Sequence, residues 1–273
     1  MSLYARPNDL TDALVLRTKG ARVLAGGTDL YPGAGLAGDV LDISDVLALR
    51  GITRGDGLRI GAAVTWSEIA EADLPPACVA LQMAARAVGG RQVQNAGTLA
   101  GNLCNASPAA DGVPPLLILG AQVELASLRG VRRLDLADFL LGPRKTALQS
   151  DEILVAVHVP LAALAGRSVF MKLGARAYLV ISIASVAVRL VMQAGVVTQA
   201  FVAVGACSAV AKRLPLVEAA LIGVPVRQLR DAVRAAQMAA LAPIDDVRAT
   251  AEYRVEAAAE LVARAVVDCG GMA

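Results

Sequence analysis

Apolar positions along the chain change period several times, and each change marks an element. Leu10, Ala13 and Leu14 share one side of a helix that Asp9 or Thr11 caps and Gly20 ends. "ARVLAGG" then reads as a short buried strand stopped by paired glycines, and "DVLDIS" as a second strand, giving a small α/β unit. Alternation in "GITRGDGLRIG" predicts a hairpin around Gly55-Asp56-Gly57. The helix after it starts at a capping box, with Thr65 and Glu68 in the T-x-x-E pattern. "PPACVALQMAARAVGG" is a helix with proline at its start and glycine at its end. "AQVELASLRGVRRLDL" predicts another hairpin, and "DEILVAVHVP" one more strand of an antiparallel sheet.

Around Gly166 the character changes. "RSVFMKL", "SIASVAVRLVM" and "VTQAFVAVGAC" predict three antiparallel strands, the last two joined by a turn at Gln193-Ala194-Gly195. From Pro215 the pattern is helical, through "LPLVEAALIG", "PVRQLRDAVRAAQMAALA" and "ATAEYRVEAAAELVARAVVDCGG". The expected fold class is α+β, with a domain boundary near residue 165 in "LAALAGRS".

Composition narrows the function. At 273 residues the chain is long enough for two domains. It is 56% hydrophobic but 3% aromatic, so Ala, Val, Leu and Ile must build the core, and disorder is excluded. The high apolar content fits either burial against other subunits or an alanine-rich core. A formal charge of +2 without basic runs argues against nucleic acid as a partner. The N-terminus lacks a signal-peptide pattern, and "AYLVISIASVAV" is too short to cross a bilayer as a helix, so a cytoplasmic protein without a transmembrane segment is expected. Four scattered cysteines and a single histidine, His158, offer no cluster for a metal site within the chain. His158 has no evident nucleophile or second histidine beside it, and no residue is assigned a catalytic role.

Three glycine motifs remain. "GAGLAG", Gly33 to Gly38, matches the dinucleotide fingerprint, yet Tyr31-Pro32 precede it and a strand follows, so a Rossmann site is rejected. "LAGGTDL" and "GTLAGN" are better candidates. In each, consecutive N–H groups can converge on an anion, with Thr28 and Asp29, or Thr98 and Asn102, as neighbours; Thr28 and Asp29 can also cap a following helix. Ordinary glycine turns are the alternative. "GTLAGN" lies within "QNAGTLAGNLCNASPAAD", whose only charge, Asp111, suits either a ribose diol or the N-cap of a helix at 112–119.

With "YARPNDLTDAL", "LAGGTDLYP", "QVQNAGTLAGNLCNASPAADGVPPLLILGA", "FLLGPRKTALQSDEILVAVHVP" and "KLGARAYLVISIASVAV" in this order, nearly the whole chain resembles the FAD-binding medium subunit of the molybdenum hydroxylases, the family of xanthine dehydrogenases and aerobic carbon monoxide dehydrogenases. The resemblance implies a two-lobed FAD-binding domain over 1–165, with lobes of about 1–55 and 56–165. It also implies a C-terminal domain over 166–273, a three-stranded antiparallel sheet with a helical bundle. FAD would be held by Ala25, Gly26, Gly27, Thr28, Asp29 and Leu30, and by Thr98, Ala100, Gly101 and Asn102. Asp111 would meet the ribose of the adenosine half, Ile153 and Leu154 would lie beside the adenine or flavin, and Lys172 near the flavin ring. Partners implied are a large molybdopterin-binding subunit and a small iron–sulfur subunit with 2Fe–2S clusters, assembled as a dimer of heterotrimers. The implied activity is electron transfer from those clusters through FAD to an external acceptor. An assembly scaffold of the same fold, or a self-sufficient flavin reductase or oxidase, are the alternatives. Ala100 stands where many relatives have glycine, and Val180 where an acidic residue is common, which leaves the acceptor open.

Overall fold

The computed structural model describes residues 3–30, 38–177, 179–235 and 238–271. The rejected "GAGLAG" motif lies outside these residues except for Gly38.

The first lobe opens with β1 (Tyr4–Ala5) and α1 (Leu10–Thr18). Asp9 is the cap that the sequence offered: its carboxylate accepts from the amides of Thr11 at 2.7 Å and Asp12 at 3.3 Å. Lys19 is the C-cap, and Gly20 takes the left-handed turn that follows, at φ +87°. β2 (Arg22–Leu24) and β3 (Val40–Asp42) run parallel, and β1 pairs with β3 to give the order β1-β3-β2. Two residues are too few for alternation to reveal β1 in the sequence.

The second lobe is built on a five-stranded antiparallel sheet. β4 (Ile52–Gly55) and β5 (Gly57–Gly61) form the first hairpin, so β4 belongs to this sheet rather than to the lobe that was expected to end near residue 55. Next come α2 (Trp66–Glu71), α3 (Val79–Ala87), α4 (Arg91–Ala96), α5 (Leu99–Asn105) and α6 (Val113–Ile118). The Thr65–Glu68 capping box is complete at α2. β6 (Gln122–Ser127) and β7 (Gly130–Asp135) make the second hairpin; α7 (Leu136–Phe139) and the small pair β8 (Leu140–Gly142) and β9 (Lys145–Thr146) lead to β10 (Ile153–Pro160). β10 inserts between the hairpins, giving the order β4-β5-β10-β6-β7. Val157 pairs with Ile60 on one side and Val123 on the other, which explains why this strand is almost wholly apolar.

The C-terminal sheet comprises β11 (Arg167–Leu173), β12 (Ala184–Gln193), β13 (Val196–Gly205) and β14 (Lys212–Arg213). It has four strands, not the three expected, because β14 contributes only two residues along β13. Ala194 and Gly195, at φ 50° and 74°, form the tight turn between β12 and β13. β12 is buried on both faces, against α3 and α6 on the first domain's side and α10 (Ala251–Gly271) on the other. The remaining helices, α8 (Pro215–Leu221) and α9 (Leu229–Ala235), complete that outer layer. The helix expected over "PVRQLRDAVRAAQMAALA" is thus much shorter, and Met238 to Leu241 is irregular. Across the domain junction the Ser168 hydroxyl accepts from the Ala80 amide at 2.8 Å. Among the described residues no helix is long and apolar enough to cross a membrane, and no group of His, Cys, Asp and Glu could hold a metal ion.

Candidate functional site

The two better glycine motifs meet. After β2 the chain bends at Ala25 and Gly26, and Gly27 at φ +69° starts a turn closed by the Leu30 amide on the Gly27 carbonyl at 3.1 Å. A Cβ on Gly26 would stand 1.8 Å from the Ala96 oxygen, so only glycine allows this backbone to lie on the Ala96–Gly97 peptide. A Cβ on Gly97 would in turn lie 3.5 Å from the Thr28 hydroxyl. The residues that follow Leu30 lie outside the described ones, so the helix that Thr28 and Asp29 were expected to cap is not seen.

The motifs are not alike. The amides of Gly26, Gly27, Thr28 and Asp29 donate to no acceptor among the described residues. In "GTLAGN" every amide but that of Thr98 is already committed. Leu99 donates to Val64 at 3.0 Å, Ala100 to Ala62 at 3.4 Å, and Asn102 to Thr98 at 3.1 Å. Gly101 donates to the hydroxyl of Thr98, the N-cap of α5, at 3.1 Å. This stretch, expected as a second amide-donating loop, is the start of a helix, and it offers side chains rather than free N–H groups. The preceding Gln94 explains part of the segment's polarity: its side-chain amide donates to the carbonyls of Arg86 and Val88 at the end of α3, at 2.9 and 3.1 Å.

Between the motifs lies a cleft of about 390 Å³. It is lined by Ala25, Gly26, Gly27, Thr28, Asp29, Leu30, Thr98, Ala100, Gly101, Asn102, Ile153 and Leu154, every sequence-nominated position except Asp111 and Lys172. Ile43, Trp66, Val88, Val93 and Leu148 add apolar wall that the sequence reading missed. Trp66, the chain's single tryptophan, is the one of these with a distinguishing mark in the sequence, since it follows the capping Thr65 directly. At the floor, Arg17 on α1 donates Nε to the Glu152 carbonyl at 3.1 Å, joining the lobes. Glu152 is buried and held by Arg132 through two bonds of 2.6 and 2.8 Å, and those bonds hold its carboxyl below the usual range. One polar atom of the wall is left over: Asn102 Oδ1 is buried and has no hydrogen-bond partner.

Asp111 and Lys172 face each other instead of the cleft. Lys172 Nζ lies 2.6 Å from Asp111 Oδ2, and Asp111 Oδ1 accepts from the Ser182 hydroxyl at 2.6 Å. Burial pushes the Asp111 carboxyl up, against the pull of the Lys172 ammonium. Asp111 is not the N-cap of α6 either, because Gly112 occupies that position. Lys172 is no surface lysine; it borders a second cavity of about 560 Å³, with Met83, Arg86, Leu173 and Val180. The cavities adjoin across the end of α3, where Val88 lines the first while Ala87 and Gly89 line the second. His158 stands outside both, its Nε2 2.7 Å from Glu124 Oε2.

Residues 1–162 match the family model described as the FAD binding domain in molybdopterin dehydrogenase, and residues 170–269 match the CO dehydrogenase flavoprotein C-terminal domain. The chain is 39% identical over 166 residues to the xanthine dehydrogenase FAD-binding subunit of Escherichia coli O157:H7; the match spans 58% of this chain and little more than half, 57%, of that relative's length. It is 30% identical over 278 residues to the nicotine 6-hydroxylase medium subunit of Paenarthrobacter nicotinovorans, covering 98% of this chain and 96% of that one. A chain of the reconstituted CO dehydrogenase from Oligotropha carboxidovorans superposes with a TM-score of 0.91 at 28% identity, covering 100% of this chain and 99% of the other.

Proposed function

Since the chain belongs to the family of FAD-binding medium subunits of molybdopterin hydroxylases, the xanthine dehydrogenase and CO dehydrogenase group, we propose that its cleft binds FAD and that it serves as the electron-transfer subunit of a molybdenum oxidoreductase in the cytoplasm. The observation that carries this reading is the packing of Gly26 on the Ala96–Gly97 peptide, which joins two distant motifs into one cleft, with four amides on its rim that no acceptor among the described residues engages. Amides aimed at one region suit a diphosphate, which only accepts hydrogen bonds. Bound FAD would supply a redox centre that takes up electrons singly and releases them singly or in pairs.

The chain's own residues hold and shield it. Gly26, Gly27, Thr28 and Asp29 grip the diphosphate from one side, and Thr98, Ala100, Gly101 and Asn102 close the other. Ile153 and Leu154, with Trp66 and Val88, exclude water from the rings. The flavin end would lie toward Val88, beyond which the second cavity and Lys172 begin. There an ammonium stabilises negative charge gained on reduction. Asp111 accepts from Lys172 on one oxygen and from Ser182 on the other, and so holds Lys172 in place.

Electrons would arrive from 2Fe–2S clusters of a small subunit after substrate oxidation at a molybdopterin in a large subunit, within a dimer of heterotrimers, and leave to an external acceptor. Co-expression with the two subunits and purification of the complex tests the reading. One flavin per copy of this chain is expected by absorbance, and a flavin-free chain in an intact complex overturns it.

A further inference from the structure

We propose that Ser182 is a positioning residue: its hydroxyl fixes the Asp111 carboxylate, and through it holds the Lys172 ammonium where a reduced flavin gains from the charge. The inference rests on the FAD reading above and adds a residue that lines neither cavity. Ser182 is 1% exposed, and its Oγ donates to Asp111 Oδ1 at 2.6 Å. Asp111 Oδ2 takes Lys172 Nζ at 2.6 Å, and the same Nζ reaches the Ala87 carbonyl at 3.3 Å. Each carboxylate oxygen thus has its own donor from the C-terminal domain, while Asp111 itself stands ahead of α6 in the first domain.

The hydroxyl is set by a firm frame. Ile183, next in the chain, donates its amide to the Leu173 carbonyl at 2.8 Å, and its own carbonyl accepts from Arg254 Nη1 at 2.7 Å. Arg254 is fixed in turn by the Ala206 carbonyl at 3.0 Å and by Asp246 at 2.6 Å. A carboxylate held by one ammonium can still swing about its last bond and carry that ammonium with it. A second donor on the other oxygen stops the swing. The hydroxyl also helps to keep the pair charged. Burial pushes the Asp111 carboxyl up, and Lys172 and then Ser182 oppose it. Removing the hydroxyl leaves Oδ1 buried without that donor.

Two measurements test this, one of them without flavin. Lys172 is the one lysine off the surface, since Lys19, Lys145 and Lys212 are exposed. In the flavin-stripped full chain, acetylation by acetic anhydride is followed at each lysine by peptide mass spectrometry. Ser182→Ala should raise the Lys172 rate about tenfold against the three exposed lysines, the loss of one hydrogen bond to a charged group. Ser182→Cys, similar in volume but a weak donor, should behave like Ser182→Ala. The second measurement is the midpoint potential of the flavin in the complex purified with both partner subunits. Ser182→Ala should lower the reduced-to-oxidised ratio about tenfold, a fall of about 30 mV for a two-electron couple. In a Lys172→Met background the same substitution should change nothing, because the ammonium it acts through is gone. An unchanged potential in the wild-type background overturns the proposal, and so does an equal fall in both backgrounds. A cysteine chain that matches wild type in both measurements also overturns it, because volume alone then suffices. Unchanged acetylation in a chain that binds flavin sinks this inference alone, and a flavin-free complex sinks the cofactor reading with it.

Discussion

Lys172 and Asp111 form a buried ion pair, Nζ to Oδ2 at 2.6 Å with side-chain exposures of 13% and 6%, which ties the first strand of the C-terminal sheet to the polar segment ahead of α6. Both charges are largely shielded from solvent. Asp111→Ala should therefore cost about 3–5 kcal/mol, because it leaves an ammonium buried without a counter-charge. The double replacement Lys172→Met with Asp111→Leu removes both charges and should recover most of that loss. Urea unfolding of the three chains checks the order. A single variant as stable as the double would mean that the pair is solvated.

A second test concerns the close approach of the glycine motifs. Gly26→Ala puts a methyl 1.8 Å from the Ala96 oxygen, and backbone must move to relieve it. A loss of about 1–3 kcal/mol is expected, together with most of the bound flavin. Gly120→Ala is the control: Gly120 has φ +56°, but a Cβ there meets nothing within 4 Å. That variant should lose about 1 kcal/mol from backbone strain alone and keep its flavin. Flavin absorbance per chain and the urea midpoint separate the two cases.

How legible all this was in the sequence depends on range. α1 and α2 are set by caps within three residues, and β10 by an unbroken apolar run, so local pattern finds them. α4 and α5 were missed because six or seven residues are too few for a helical period to show; in α4 only Gln94 is buried. β14 was missed because two residues cannot alternate. In the site, both glycine motifs line one cleft while their backbone roles diverge: α5 consumes amides that a loop would have left free. The pairing of Asp111 with Lys172 depends on how the two domains pack, and no local spacing carries that information.

Arg189 is a third test. It lies in β12 at 2% exposure without a carboxylate partner among the described residues. Its Nε donates to the Ile118 carbonyl at the end of α6 and its Nη1 to the Ala165 carbonyl, both at 3.0 Å, while the guanidinium lies 3.8 Å over the Phe201 ring. Burial pulls its pKa down to about 10, so it remains charged at neutral pH. Lysine cannot reproduce the planar fork and the stacking together, so Arg189→Lys should cost about 1–2 kcal/mol. Arg189→Ala should cost more, about 3 kcal/mol, since it strands two carbonyls at the domain junction. Thermal unfolding of both variants gives the ranking, and a lysine variant as stable as wild type would show that charge alone suffices.

Asp246 supplies the test against pH. Its Oδ1 accepts from the Arg248 amide at 2.8 Å and from Arg254 at 2.6 Å. The Arg248 amide is the largest cause that lowers its pKa from 3.8 to about 2; burial opposes it, and Arg254 adds to the lowering. The folded chain thus binds this proton less readily than the unfolded chain. The stabilisation is fully present above the unfolded value and fades as pH falls from about 4 toward 2. Because the carboxylate is a quarter exposed, solvent screening reduces the gain to on the order of 1 kcal/mol. Asp246→Asn should therefore unfold at a lower temperature than wild type at neutral pH, with the gap closing through the same window. A gap that stays constant down to about pH 2 would assign the effect to hydrogen-bond geometry and not to the charge.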